Sequence, residues 1–168
     1  LCFCLLFPVG LSSCDGSDSA AVIFGGTTGK LTWTLTEDGV LTITGEGPMP
    51  DYRDGGTSET PPWYPHVNRI SSLTIGEGVT RIGDYAFMLC SFVTKVVIPE
   101  SVTSMGDWAF KGYLDMAVVT CLAVIPPELG KDNFGLPAKI LYVPAGSVEV
   151  YRKNAVWREA FETIAALP

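Results

Sequence analysis

Basic side chains are scarce in this 168-residue chain, which has 11 Lys and Arg against 18 Asp and Glu and a formal net charge of −7 at pH 7. A surface that binds nucleic acid needs clustered positive charge to neutralise phosphate groups. The sequence contains no such cluster. Nucleic acid is therefore not expected as a partner.

Residues that carry common enzyme chemistry are equally few. The single histidine, His66, cannot supply a metal site built from several imidazoles, and it lies in no nucleophile motif. No glycine-rich loop has the spacing of a phosphate-binding loop. Asp51 and Asp54 lack the further oxygen ligands of a calcium loop, which favours a solvated loop there. The sequence predicts no enzyme activity, no catalytic residue, no metal and no cofactor.

The apolar stretch at residues 1–11, LCFCLLFPVGL, is too short to span a bilayer as a helix, which takes about 20 residues. Its length fits the apolar part of an export signal, with a buried N-terminal strand as the alternative. Leu11-Ser12-Ser13-Cys14 follows and resembles the bacterial lipobox, in which a cysteine after small residues accepts the lipid. We expect residues 1–13 to be a signal-peptide remnant and residues 14–28 to hold the lipidated Cys14 and a flexible tether.

The acidic residues after Cys14 resemble the surface-export pattern of Bacteroidetes lipoproteins. Once Cys2 and Cys4 leave with the signal and Cys14 is acylated, two thiols remain, Cys90 and Cys121. Both lie at core positions of the repeat described next, which favours buried free thiols over a disulfide.

A repeat of 23 residues is the clearest pattern that the sequence contains. Residues 73–95, LTIGEGVTRIGDYAFMLCSFVTK, align with residues 96–118, VVIPESVTSMGDWAFKGYLDMAV, and eight of the 23 positions are identical. Each copy offers a short strand, a turn that begins at Gly-Asp, and a buried Ala-Phe pair. One copy cannot bury its apolar side chains alone, so neighbouring copies must stack and their strands must form a parallel sheet.

The later copies are less regular. Strands are predicted at residues 119–121 and 140–143, which gives about four strands, and Phe134 falls one residue later than the repeat requires. Asp84 and Asp107 occupy the same place in successive copies. That recurrence favours N-caps of short helical turns over a pair of catalytic carboxylates.

The motif V-T-x-I-G-D-x-A-F at residues 79–87, its copy at residues 102–110 and Y-V-P-A-G-S at residues 142–147 resemble the BspA-like leucine-rich repeat family. Residues 29–52 and Pro62-Trp63-Tyr64 resemble that family's N-terminal β-segment. The resemblance implies a leucine-rich-repeat-type solenoid, mainly β with short helical turns, and adhesion to host or bacterial proteins.

Segments that could cover the terminal copies lie at both ends. Alternating polarity around Glu37-Asp38-Gly39 predicts a β-hairpin. Ser147 is expected to N-cap a helix through about Asn154, and residues 156–164 are expected to form a second helix. The remaining predicted domains are an N-terminal β cap and loop at 29–68, the repeat solenoid at 69–145 and a C-terminal helical cap at 146–168.

Binding residues are predicted at strand positions that point away from the core. This candidate strand face consists of Thr74, Lys95, Val97, Val118, Thr120, Ile140 and Tyr142. Its apolar members indicate an interaction surface, unless the N-terminal loop or another chain covers them. In a second candidate, the loop residues Tyr52, Trp63 and Tyr64 would stack on sugar rings, but packing of Trp63 against the first repeat is favoured.

The sequence as a whole predicts an exported lipoprotein, anchored to the outer membrane on the cell surface, that binds proteins of the host or of bacterial surfaces. Membrane contact is expected only through the lipid anchor. The alternatives are a glycan-binding accessory lipoprotein and a structural or assembly module without a ligand of its own.

Overall fold

The computed structural model describes residues 20–53, 59–112, 116–134 and 138–168, so Cys14 and Asp54 lie outside it. Within these ranges the chain is mainly β, with few and short helices. The strands are β1 Val22–Thr28, β2 Leu31–Thr36, β3 Val40–Thr44, β4 Gly47–Pro48, β5 Ser72–Ile75, β6 Val79–Ile82, β7 Lys95–Ile98, β8 Ser104–Met105, β9 Val118–Cys121, β10 Glu128–Leu129, β11 Ala138–Val143 and β12 Phe161–Ala166. The α-helices are α1 Val148–Lys153 and α2 Ala155–Ala160, and the 3₁₀ helices are Tyr64–Arg69 and Ala145–Ser147.

The larger sheet has eight strands in the order β1-β2-β3-β5-β7-β9-β11-β12. The β1–β2 and β2–β3 pairs are antiparallel, and every later pair is parallel. Leu73 pairs with Val96 and Val96 with Val119, so one repeat in sequence is one strand step in the sheet. The parallel sheet predicted from the repeat is present. It exceeds the expected four strands because β3 and β12 extend it on either side.

A smaller parallel sheet, in the order β10-β8-β6-β4, forms from segments that follow strands of the larger sheet. Val79, Ile82 and Met105 lie in it and are at most 2% exposed. The sequence predicted only one short strand in each repeat and none at these positions. The backbone is instead extended there, because each segment pairs with its counterpart in the next repeat.

A stack of aromatic rings runs through the core along the repeat axis. Phe87 and Phe110 have ring centroids 5.4 Å apart, and Phe110 and Phe134 have theirs 5.5 Å apart. Trp63 continues the stack beyond Phe87 at 5.6 Å, and Trp157 adjoins Phe134 at 6.2 Å. We call these five residues the aromatic spine. Burial of a phenylalanine side chain stabilises a fold by about 1.5–3 kcal/mol, and each ring pair adds about 0.5–1.5 kcal/mol.

Aspartate side chains join each repeat to the next. The Asp51 carboxylate accepts a hydrogen bond from the Asp84 backbone N–H at 3.0 Å, and the Asp84 carboxylate accepts one from the Asp107 backbone N–H at 2.9 Å. The Asp107 carboxylate in turn accepts one from the Lys131 backbone N–H at 2.7 Å. The prediction that Asp84 and Asp107 cap helical turns is therefore wrong, since their acceptors serve the neighbouring repeat. Gly106 is fixed by the same packing, because a Cβ there would collide with the Asp84 carboxylate.

The predicted N-terminal hairpin is present as β2 and β3, with Gly39 at φ +86° in its turn. The tether predicted at residues 14–28 is wrong for its last part, because Val22–Thr28 form β1, antiparallel to β2. Gly26 sits above the buried Trp33 indole, whose Nε1 would lie 3.1 Å from an added Cβ. Gly25 and Gly26, which lie within the predicted tether, are therefore closely packed against β2.

The C-terminal prediction is right for α1 and wrong further on. Ser147 precedes α1 without a side-chain capping bond, whereas Asn154 caps α2 by accepting from the backbone N–H groups of Val156 and Trp157. The helix expected at residues 156–164 ends at Ala160, and β12 follows in parallel with β11. Pairing with the sheet edge overrides the helical spacing of the apolar residues.

Cys90 and Cys121 are buried and form no disulfide with each other, as predicted. Tyr151 donates its hydroxyl to the Ala123 carbonyl at 2.8 Å and lies 3.2 Å from Cys121 Sγ. Burial raises the pKa of the Cys121 thiol, with hydrogen bonding acting in the opposite direction. Cys121 therefore behaves as a small apolar core residue.

Candidate functional site

The candidate strand face is assembled as the repeat predicts. Thr74 pairs with Val97, Val97 with Thr120, and Thr120 with Tyr142, which places these four side chains in one row across the sheet. A second row runs from Lys95 to Val118 to Ile140. Parallel strands in register place such residues about 4.8 Å apart, close enough to form one continuous surface.

Exposure differs along the two rows. Val97 is 48% exposed, and Thr74 and Lys95 are also exposed. Val118, Thr120, Ile140 and Tyr142 are half-buried. The face therefore has an open apolar centre at Val97 with polar side chains beside it.

Sequence reasoning missed that threonines of the N-terminal strands extend this face. Thr34 pairs with Thr42, and Thr42 with Thr74, so the first row continues onto β2 and β3. A parallel row of Thr27, Thr32 and Thr44 lies two residues along the strands. The alternation TWTLT in the sequence could have indicated this row, because every second residue of a strand points to the same face of the sheet.

The second candidate, the aromatic loop, is buried rather than open. Trp63 is 1% exposed, donates Nε1–H to the Ala86 carbonyl at 2.8 Å and begins the aromatic spine. Tyr52 is 7% exposed and its hydroxyl is 2.5 Å from that of Thr28, while burial raises the pKa of Tyr52 to about 12. Tyr64 is half-buried in a 3₁₀ helix. The expectation that Tyr52 and Trp63 stack on sugars is wrong, and the favoured packing of Trp63 is confirmed.

A polar cleft that the sequence did not reveal has a volume of about 870 Å³. Its lining consists of Thr27, Thr28, Asp51, Tyr52, Arg53, Glu59, Thr60, Pro62, Asp84 and Tyr85. The Arg81 guanidinium contacts Asp51 at 2.7 Å and Asp84 at 3.1 Å. Burial raises the pKa of Asp51, but the Asp84 backbone N–H and the Arg81 guanidinium outweigh it and lower the pKa overall.

Two aromatic side chains form a ridge beside this cleft. Tyr85, in the cleft wall, and Trp108, one repeat later, have ring centroids 4.9 Å apart and an interplanar angle of 87°. Lys111 Nζ lies 4.5 Å from the Trp108 ring, and Trp108 Nε1 donates to Asp132 at 3.2 Å. Tyr85 and Trp108 each have φ +56°, a left-handed conformation that costs a residue with a Cβ about 1–2 kcal/mol. We call Tyr85 and Trp108 the aromatic ridge.

The described part of the chain holds no group of three or more His, Cys, Asp or Glu placed to bind a metal ion. None of the helices found there is both long and apolar enough to cross a membrane.

Comparison with known protein families gives a match over residues 64–124 to the family described as BspA type leucine rich repeat region (6 copies). The chain contains a BspA-type leucine-rich repeat region. The resemblance inferred from the repeated V-T-x-I-G-D-x-A-F motif is confirmed. The leucine-rich repeat region so matched includes Thr74, Val97 and Thr120 of the strand face, and Tyr142 lies beyond it.

Among solved structures, the chain is similar to a leucine-rich repeat protein from Eubacterium ventriosum, with 25% sequence identity and a TM-score of 0.52. The similarity covers 87% of this chain, so it extends past the leucine-rich repeat region on both sides. The chain spans 40% of that protein. No match is found among curated proteins.

Proposed function

We propose that the chain is a protein-binding module that uses the candidate strand face, and that its stacked repeats form a solenoid ended by the N-terminal strands and by the C-terminal helices with β12. The observation that carries the proposal is the row from Thr74 through Val97 and Thr120 to Tyr142, with Val97 48% exposed at its centre. Leucine-rich repeats generally present such extended faces to protein partners.

The face suits protein recognition because it is held in place by the sheet. An apolar centre with a polar surround is the arrangement common at protein interfaces, and a side chain such as Tyr142 is of the type that often contributes most to binding. Side chains on paired strands lose little further freedom when a partner docks, so the entropic cost of binding is small.

The size of the face limits the affinity. Seven intervals between eight strands give a width of about 34 Å at about 4.8 Å each, and four-residue repeat strands give a height of about 13 Å. The resulting area, about 440 Å², is roughly half of the about 800 Å² that each partner contributes to a typical stable complex. We expect micromolar affinity for one copy, raised where several copies act together on a surface.

The test compares substitutions on the face with a matched one outside it. Val97→Asp and Tyr142→Asp should lower capture of a protein partner at least tenfold, and Val97→Thr, which keeps the side-chain shape, should lower it less. Val124→Asp is the control, because Val124 is 56% exposed and is not part of the face. Equal losses for Val97→Asp and Val124→Asp, or unfolding of the Val97 variants, would remove the face as the binding surface.

The same measurements address a purely structural role. If the purified wild-type chain captures no protein from host matrix or bacterial surface extracts and self-associates instead, an assembly module is the better description. Sedimentation of wild type and Val97→Asp then reports whether the strand face mediates that self-association.

The chain is further proposed to be exported and lipid-anchored at Cys14, on the outer surface of the outer membrane. The support is the order of the apolar residues 1–11, the small residues before Cys14 and the acidic residues after it. A diacyl or triacyl anchor would hold the module stably at a membrane, since a single acyl chain binds only marginally. Metabolic labelling with a fatty acid should mark the wild type and not Cys14→Ser, and equal labelling would contradict the anchor.

A further inference from the structure

The second residue after the glycine that begins the turn (Gly83, Gly106 or Gly130) has the same unusual backbone conformation in three successive repeats. Tyr85 and Trp108 have φ +56°, and Asp132 has φ +46° at the corresponding place in the next repeat. Glycine, asparagine and aspartate tolerate this left-handed region, whereas bulky residues are disfavoured there. Asp132 follows that preference and the two aromatic residues do not.

Core packing explains these aromatic side chains only in part, because Tyr85 packs against the buried core while both rings keep an exposed portion. Tyr85 and Trp108 are only half-buried, while the adjacent Ala86, Phe87, Ala109 and Phe110 are fully buried. Asp132 shows that a polar residue satisfies the same place in the fold. The aromatic ridge thus costs stability at a surface position, a combination that is common at binding sites.

The ridge borders the polar cleft, since Tyr85 lines the cleft and Trp108 contacts Tyr85. The cleft wall carries the carboxylates of Asp51 and Glu59 and the guanidinium of Arg53, and Arg53 pairs with Glu59 at 2.7 Å. Asp51 is held by Arg81 and by the Asp84 backbone N–H, so part of the wall is already ordered. A preordered polar wall binds with a smaller entropic cost.

We propose that the polar cleft and the aromatic ridge form a binding site for a neutral oligosaccharide. A sugar ring has an apolar face of C–H groups, which can pack on the rings of Tyr85 and Trp108, and hydroxyl groups, which donate to carboxylates and accept from guanidinium groups. The site is separate from the strand face and does not depend on protein binding there.

The composition of the cleft favours a sugar over a peptide. A bound peptide needs apolar pockets for its side chains as well as partners for its backbone. Among the described residues that line the cleft, Pro62 is the only one with a wholly aliphatic side chain. The lining instead alternates hydroxyl, carboxylate and guanidinium groups, which matches the many hydroxyls of an oligosaccharide.

The experiment measures binding of cellohexaose, xylohexaose, maltohexaose, mannohexaose and chitohexaose to the whole purified chain by calorimetry and by NMR titration. The variants Tyr85→Asn and Trp108→Asn remove the rings and place at each site a residue that accepts positive φ. Leu89→Asn is the matched control, because Leu89 also has positive φ, at +65°, is 40% exposed and does not line the cleft.

At least one hexasaccharide should bind the wild type, and Trp108→Asn and Tyr85→Asn should each weaken that binding by about tenfold, a loss of about 1.4 kcal/mol. Leu89→Asn and Val97→Asp should leave it unchanged, and all variants should melt cooperatively. The proposal is overturned if no hexasaccharide binds at millimolar concentration, or if binding is insensitive to both ridge substitutions. Preferential binding of a peptide library at the ridge would overturn it as well.

Discussion

Removal of the Phe110 ring should open a cavity in the middle of the aromatic spine. Phe110 is fully buried and lies between Phe87, at 5.4 Å, and Phe134, at 5.5 Å. Replacement of a buried phenylalanine by alanine typically costs about 3–5 kcal/mol. Because two ring contacts are lost together with the buried area, we expect Phe110→Ala to fall in the upper half of that range.

Such a loss is a large part of the stability of a domain of this size, which is commonly about 5–15 kcal/mol. The free energy of unfolding is measured by urea titration with both tryptophan fluorescence and circular dichroism. Phe92→Ala is the matched control, because Phe92 is 60% exposed and its loss should change stability by no more than about 0.5 kcal/mol.

A double-mutant cycle separates the ring contact from simple burial. Phe87→Ala, Phe110→Ala and the double variant should give a coupling energy of about 0.5–1.5 kcal/mol, the value of one aromatic pair. Two results would refute the stacking of successive repeats on which the fold rests. One is that Phe110→Ala lowers the free energy of unfolding no more than Phe92→Ala does, and the other is a coupling energy of zero.

The remaining predictions concern ionisable side chains. Asp84 accepts a hydrogen bond from the Asp107 backbone N–H and contacts Arg81. In urea unfolding, Asp84→Ala should therefore lower the free energy of unfolding by about 1–3 kcal/mol. Asp84→Asn, which keeps an acceptor, should lower it by less. The folded pKa of Asp51 is below its ordinary value of 3.8, so its ionised form contributes stability that is present above that pH and lost as pH falls through the folded pKa. The melting temperature of Asp51→Asn should therefore fall less between about pH 5 and pH 2 than that of the wild type. Identical plots of melting temperature against pH for the two proteins would contradict the Asp51 contacts. The buried thiol of Cys121 should react with iodoacetamide at least about a hundredfold more slowly in the native chain than in urea, and equal rates would place it at the surface.

The register of the sheet could be predicted because the first repeats have a constant length. Thr74, Val97 and Thr120 follow one another at intervals of 23 residues in the sequence, and the structure aligns them across three strands. Even Phe134, which falls one residue late in the sequence, stacks on Phe110. The extra residue lies between β9, which pairs with β7 at an interval of 23 residues, and β10, which pairs with β8 at an interval of 24. Periodic burial fixes such positions irrespective of local propensity.

Elements that depend on a distant partner could not be predicted. Trp157, Phe161 and Ile164 have a spacing that suits a helix, yet Phe161 and Ile164 lie in β12 because β11 offers an unpaired edge. Residues 22–28 fall within the predicted flexible tether, yet they form β1 because β2 offers a strand to pair with. Neither outcome is encoded in the local pattern.

The polar cleft illustrates the same limit for a binding site. Asp84 lies in the repeat, whereas Asp51 and Glu59 lie well before it in the sequence, and the three belong to no shared motif. They meet because β4 pairs with β6, which brings Asp51 within 3.0 Å of the Asp84 backbone N–H. By contrast, Thr74, Val97 and Thr120 of the strand face recur at the repeat interval, and that part of the surface could be predicted from the sequence.

The aromatic spine ends in an indole on each side, Trp63 beyond Phe87 and Trp157 beyond Phe134. The chain therefore carries a natural fluorophore at both termini of its core. In two single-tryptophan variants, one that keeps only Trp63 and one that keeps only Trp157, the remaining indole would report denaturation of its own end of the repeat array. Coincident midpoints for the two emission signals would mean that all the repeats melt as one unit, whereas separate midpoints would reveal fraying from one side.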